Sequence, residues 1–245
     1  MTDARQSTRK PPGEPSKAVV LLSGGLDSAT TLAIARERGF EMYALTVRYG
    51  QRHANELAAA RAVARSLGAA RHLEVEVDLR AIGGSALTDQ IPVPAADGGG
   101  GIPATYVPAR NAILLSLALA WAEVVGADDL FIGVHEEDAS GYPDCRPVFI
   151  EAFEALAGVA TAAATEGRSR PKVHAPLLGL DKAGIIRRGA ELGVDFSLTT
   201  SCYDPDEDDA ACGRCAACEL RRRGFREAGV EDPTRYRETG GAAGS

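Results

Sequence analysis

Positive charge is scarce in this chain. Twenty-seven Lys and Arg stand against 34 Asp and Glu, a formal net charge of −7, which argues against a broad nucleic-acid surface. Long apolar runs are missing too. The most apolar segment, AILLSLALAWAEVVG, is too short to span a bilayer comfortably and carries Glu123, so it reads as a core helix. The opening MTDARQSTRKPPGEPSK lacks a signal-peptide pattern and is polar, with Pro and Gly. Residues 1–17 are therefore expected to be a disordered tail, and 238–245, within ETGGAAGS, likewise. A cytoplasmic protein is the resulting expectation. No internal repeat is present.

What is present begins with SGGLDS at 23–28. The apolar run AVVLLS before it reads as a buried strand, and ATTLAIARERG after it as a helix closed by Gly39. SGGLDS is then a strand-to-helix turn, where unpaired N–H groups and the helix dipole favour an anion. Glycine lets the backbone approach a ligand, and Ser23 and Ser28 add hydroxyl donors. The turn is neither GxxxxGK[ST], having no lysine, nor GxGxxG. Asp27 inside a phosphate cradle would repel its ligand unless Mg²⁺ lay between them. A metal-mediated role follows for Asp27.

The rest of the chain alternates. Strands are expected at 18–23, 42–48, 72–79 and 129–134 and at VHAPLL, with helices near 28–38, 53–67, 111–125 and 147–165 and from Lys182 to Leu192, the last capped by Asp181. That order implies an α/β domain over 18–193, a parallel sheet covered by helices on both faces. Ligands bind such sheets beyond the carboxyl ends of the strands, where SGGLDS lies. Residues 83–109 form a long loop containing DGGGG.

Four of the five cysteines fall within Cys202-x9-Cys212-x2-Cys215-x2-Cys218. Cys-x2-Cys brings two thiolates to one ion, and four thiolates leave no open position, so the site is expected to be structural. Zinc would pin a C-terminal region, 194–237, that has no strand–helix unit beyond a short helix after Cys218. Iron–sulfur proteins share part of this spacing, but the Cys-Pro that often ends their runs is absent. The acidic run YDPDEDDAA reads as a solvated loop, and Arg214, Arg221, Arg222, Arg223 and Arg226 as an exposed helix face.

SGGLDS resembles the pyrophosphatase loop of the N-type ATP pyrophosphatases. With VRYGQRH at 47–53, GGSALTD at 83–89, IPATYVPARN at 102–111, EDASGYPDCRPVFIEAF at 137–153 and the cysteine array, the chain resembles the 7-cyano-7-deazaguanine synthase family from Ala18 to about Pro233. The resemblance implies a Rossmann-like fold and ATP-dependent conversion of 7-carboxy-7-deazaguanine and ammonia to the 7-nitrile, with release of AMP and pyrophosphate. It also implies a homodimer. Relatives of the same superfamily act on tRNA, and the same machinery would serve another 7-deazapurine or a protein. A zinc-ribbon binding module with a dead nucleotide fold is the contrasting class, and the intact SGGLDS stands against it.

On this resemblance the whole stretch Leu22, Ser23, Gly24, Gly25, Leu26, Asp27, Ser28, Ala29, Thr30, Thr31 and Leu32 is the expected ATP segment, with Mg²⁺ at Asp27. Asp27, Ser28 and Lys182 are the catalytic candidates; for Lys182 a plain solvent lysine is the competing reading. Arg110 would bind substrate, with helix capping by Arg110 and Asn111 as the competing reading. Beyond DLFIGV lies a polar set, Glu136, Glu137, Asp138, Tyr142, Asp144, Cys145 and Arg146. Asp138 or Asp144 would pair with the amidine edge of a deazaguanine, Arg146 would steer its carboxylate, and Tyr142 would stack on its ring. Cys145 reads first as a buried hydrophobe. His135 stands where the family pattern has a short polar residue, and the general base stays open.

Overall fold

The computed structural model describes residues 15–50, 55–88, 102–135 and 141–237. Within them, five parallel strands form one sheet in the order β3-β2-β1-β4-β5. These are β1 Lys17–Leu21, β2 Glu41–Arg48, β3 Arg71–Glu76, β4 Asp129–Phe131 and β5 Lys172–His174. The central strand shows why. KAVVL is buried from its second residue on, so both its faces meet protein, and Val19 pairs with Tyr43 on one side and Leu130 on the other.

The helices are α1 Leu26–Glu37, α2 Asn55–Ser66, α3 Arg110–Val125, α4 Pro147–Ala160, α5 Ala162–Thr165, α6 Lys182–Glu191 and α7 Ala216–Ala228. They make two cores. On one face Leu22, Leu32, Phe131, Ile185, Ile186 and Phe225 join α1, α6 and α7 to the sheet. On the other, Val19, Leu45, Leu115, Trp121 and Phe153 bring in α3 and α4. Each such side chain contributes about 1.5–3 kcal/mol when removed from water. The expected doubly covered parallel sheet is therefore the observed one.

Several boundaries differ from the sequence reading. Lys17, expected in the tail, opens β1, and its Nζ donates to Val125 O at 3.0 Å. The helix expected over 147–165 breaks at Thr161, which is extended (φ −114°, ψ 151°) and caps α5 by accepting from Ala164 N. The helix expected after Cys218 starts earlier: Cys215 is its N-cap, so Cys218 sits in the first turn of α7. Residues 194–237 also share a core with the α/β domain, since Phe225 packs with Phe196, Ile185 and Ile186. The expected stops at Gly126 (φ +70°) and the Asp181 cap, accepting from Gly184 N at 2.7 Å, are present. The DGGGG stretch and most of both expected tails lie outside the described residues.

The chain runs outward from β1 to β2 and β3, then returns to β4 on the opposite side. That reversal opens a crevice at the carboxyl ends of β1 and β4. SGGLDS leaves β1 there, and Gly133, Val134 and His135 leave β4 beside it.

Candidate active site

The turn after β1 is closed by its own serines. Ser28 Oγ donates to Gly25 O (3.0 Å), accepts from Ser23 N (3.1 Å) and lies 3.1 Å from Ser23 Oγ. Gly24 has φ +92°, and a Cβ on it would lie 2.4 Å from Glu56 O, so only glycine lets this turn seat on α2. Gly25 then caps α1 without a side-chain hydrogen bond, and Asp27 stands in the first turn.

Asp27 points toward the start of α6. Lys182 Nζ donates to both its oxygens, at 2.9 and 3.0 Å, and sits 2.9 Å from His135 Nε2. An ammonium only donates, so beside it His135 accepts at Nε2 and carries its proton on Nδ1. Lys182 is 7% exposed and His135 3%. The three residues arrive on α1, the segment after β4, and α6. Gly133 makes their approach close: a Cβ there would lie 2.9 Å from Thr31 Oγ1 and 3.3 Å from Asp27 backbone atoms.

They form one end of a cavity of about 680 Å³. From the expected ATP segment, Leu22, Ser23, Gly25, Leu26, Asp27 and Ser28 line it. Gly24, Ala29, Thr30, Thr31 and Leu32 do not. The last four lie where α1 is buried on every side, and there Thr30 and Thr31 donate to Leu26 O and Asp27 O. The far wall includes Arg110, Asn111, Tyr142 and Cys145. Tyr142 stacks on Tyr106 and its hydroxyl is 3.0 Å from Thr105 Oγ1. The guanidinium of Arg110 lies over the Tyr49 ring, 5.9 Å from its centroid. Ala109 before it is left-handed (φ 53°, ψ 24°).

Two of the expected substrate residues sit off this wall. Asp144 is buried, and its Oδ2 accepts from Asn111 N at 2.9 Å while its carbonyl accepts from Asn111 Nδ2 at 3.0 Å. Its carboxylate thus caps the start of α3 instead of facing the cavity. Arg146 is exposed at the N-cap of α4, with Nε donating to Pro143 O. Glu136, Glu137 and Asp138 lie outside the described residues. Cys145 is buried, with Asn111 Nδ2 donating to its sulfur at 3.1 Å.

The C-terminal region supplies a wall that the sequence reading missed. Thr200, Ser201, Ala217, Leu220 and Arg221 line the cavity. Arg221 is buried, where an exposed helix face was expected. Its Nε donates to Asp232 Oδ1 (3.0 Å), Nη1 to Thr199 Oγ1 (2.9 Å) and Nη2 to Phe196 O (3.2 Å), tying α7 to the segment after α6. The available signal was period: 217, 220, 221 and 224 fall on one helical face.

Next to that wall, the sulfurs of Cys202, Cys212, Cys215 and Cys218 lie within 4.8 Å of one another, all four buried. Cys212 and Cys218 are 3.9 Å apart. A tetrahedron with metal–sulfur distances of about 2.3 Å has edges of roughly 3.8 Å, so this donor set fits a four-thiolate ion. Cys202 Sγ also accepts from Cys212 N (3.1 Å) and Asp204 N (3.3 Å). Gly213, at φ +71°, makes the turn between the second and third ligands.

Among the described residues no helix is long and apolar enough to cross a membrane. The family model described as queuosine biosynthesis protein QueC matches residues 17–229. A 7-cyano-7-deazaguanine synthase of Xanthomonas oryzae pv. oryzae (strain PXO99A) is 64% identical over 220 residues, covering 90% of this chain and 97% of its own. One from Aromatoleum aromaticum (strain DSM 19018 / LMG 30748 / EbN1) is 62% identical over 225 residues, covering 91% and 99%. With the SGGLDS turn, the cavity above it and a match running from the first strand into the last helix, the chain belongs to the QueC family of queuosine biosynthesis proteins.

Proposed function

We infer that this enzyme converts 7-carboxy-7-deazaguanine and ammonia to 7-cyano-7-deazaguanine, cleaving ATP to AMP and pyrophosphate. The observation that carries this reading is the meeting of Asp27, Lys182 and the SGGLDS turn at one end of a cavity large enough for two nucleobase-sized ligands. The chemistry gives each part a task. A carboxylate oxygen leaves poorly. Adenylation makes it a phosphate leaving group, releasing pyrophosphate. Ammonia then attacks the acyl carbon, AMP leaves with the C–O electron pair, and loss of a proton from nitrogen gives the amide. A second adenylation, on the amide oxygen, lets AMP leave again, and loss of the remaining N–H protons completes the C≡N bond.

In this reading the N–H groups at the start of α1 and the Ser23 hydroxyl hold the pyrophosphate, Gly25 and Ser28 shape the turn, and the cation Lys182 faces the charge that develops on it. Mg²⁺, held by Asp27, would offset phosphate charge. Tyr142 and Arg110, on the far wall, are the substrate contacts we favour, with Asp138 as a further candidate. Asp144 would act through α3, holding Asn111 and Arg110 in place, and Arg146 through the start of α4. The four cysteines would hold Zn²⁺ as a structural ion. The family resemblance extends the proposal to a homodimer, which sedimentation velocity tests.

The deciding experiment supplies purified protein with ATP, Mg²⁺, ammonium and 7-carboxy-7-deazaguanine. AMP, pyrophosphate and the nitrile, identified by mass spectrometry, are expected. ATP cleavage without nitrile would redirect the site to another acyl substrate, and no cleavage by folded, zinc-loaded protein would overturn the reading.

A further inference from the structure

Lys182 is an unusual lysine. It begins α6, at the positive end of the helix dipole, where an ammonium is disfavoured. Its stem has four rotatable bonds and is a flexible tether for a point charge. Yet its head group meets two carboxylate oxygens and one imidazole nitrogen, all within 3.0 Å. Something must hold the stem.

The structure shows what it is. Helix α7 crosses α6 at Gly224, and a Cβ on Gly224 would stand 2.6 Å from Lys182 Cγ, 3.1 Å from Lys182 Cβ and 2.9 Å from Ile186 Cδ1. A Cβ essentially never comes within 3.0 Å of another carbon, so the lysine stem occupies the space a side chain at 224 would take. Gly224 lies in the interior of a helix, where glycine is among the poorest formers. Its face of α7, with Ala217, Leu220 and Arg221, is the one that lines the cavity. Cys215 and Cys218 anchor the other end of that helix.

We propose that Gly224 is a positioning residue for the reaction, its bare Cα forming the slot that aims Lys182 at Asp27 and the phosphate turn. The cysteine region is thereby part of the active site, through α7. This rests on the role given above to Lys182.

The test uses the full-length, metal-loaded protein as wild type, Gly224→Ala, Lys182→Ala and the double variant, measuring kcat, KM for ATP, melting temperature and bound metal. Gly224→Ala should fold and keep its metal, with kcat lowered about tenfold or more and KM for ATP changed by less than about threefold. In the Lys182→Ala background the same substitution should lower kcat by less than about twofold further, because the Cγ it displaces is gone and the remaining close atom is the far end of the Ile186 side chain. A kcat within about twofold of wild type, or an equal loss with and without Lys182, overturns the proposal. If Gly224→Ala alone does not fold, it is compared in the Ile186→Val and the Ile186→Val/Lys182→Ala backgrounds: recovery only where Lys182 is also removed supports the slot, and recovery with Ile186→Val alone, or with neither, overturns it. A wild type that makes no nitrile would sink the proposed reaction and leave the slot testable. Modification of Lys182 by trinitrobenzenesulfonate, read by peptide mass, should then be faster in Gly224→Ala, and an equal rate would refute the slot.

Discussion

A lysine ammonium has three N–H bonds, and at Lys182 all three have acceptors, two on Asp27 and one on His135. Removing Asp27 therefore does two things. It takes away the proposed Mg²⁺ ligand and leaves a buried cation facing only an imidazole. Asp27→Ala is expected to lower AMP release by about 10²-fold or more, in the range seen when a transition-state contact is lost, while circular dichroism stays native. Retained turnover would remove Asp27 from the mechanism. A second test concerns strain. Ala109 holds a left-handed backbone at φ 53° just before Arg110. That conformation costs an alanine about 1–2 kcal/mol and glycine far less. Ala109→Gly should raise stability by about 1 kcal/mol in urea unfolding, and any loss of kcat would show that the strained backbone aims Arg110.

Among the elements, α7 holds the most buried charge. The buried Arg221 pairs with the half-buried Asp232, with Tyr236 donating to the other aspartate oxygen. Burial pushes the Asp232 carboxyl up, but the Tyr236 hydrogen bond and the Arg221 charge outweigh it, and the net displacement is downward. A carboxyl whose folded value is depressed stabilises the fold above its unfolded value and loses that contribution as pH falls through the folded one. Wild type should therefore lose stability below about pH 4, the ordinary aspartate range, and Asp232→Asn should flatten that acid limb. Arg221→Ala, which takes the charge partner from the half-buried Asp232 and leaves Thr199 and Phe196 without their donor, should cost about 1–3 kcal/mol in chemical denaturation. Much of this level was hidden from the sequence. SGGLDS and the Asp181 cap were legible because turn and cap chemistry act over a few neighbouring residues. Asp144 capping α3 joins positions 33 apart, and Gly224 against Lys182 joins two helices. Such pairings are set by packing, and no local pattern announces them. Arg221 looked like one of a run of surface arginines, and only its place on the stripe with Ala217 and Leu220 marked it as inward-facing.

For the whole molecule, the cysteine region and the α/β domain share a core and a cavity wall. Stripping the metal should then be felt beyond the metal site. Chelation, or Cys215→Ser, is expected to raise hydrogen exchange across 216–228 and to lower kcat in parallel. Unchanged exchange in metal-free protein would show that the thiol cluster needs no ion to hold α7. The parallel sheet and both covered faces were legible from alternation alone; the strand order was not. The sharing of a wall was not, because the chain between α6 and α7 carries little periodic signal.

The separation of Asp27 from Lys182, 155 residues along the chain, bears on how the enzyme comes into being. During synthesis the phosphate turn emerges early, and its partner lysine enters long afterwards. The helix that seats that lysine follows about forty residues later still, some 2–8 s at ordinary ribosomal speed. Until then the nascent protein has a phosphate turn whose counter-charge is present but not yet seated. A ribosome-bound chain stopped before α7 would bury β1 and β2 yet be unable to cleave ATP, so that catalytic competence arrives in a single late step, when the last helix docks.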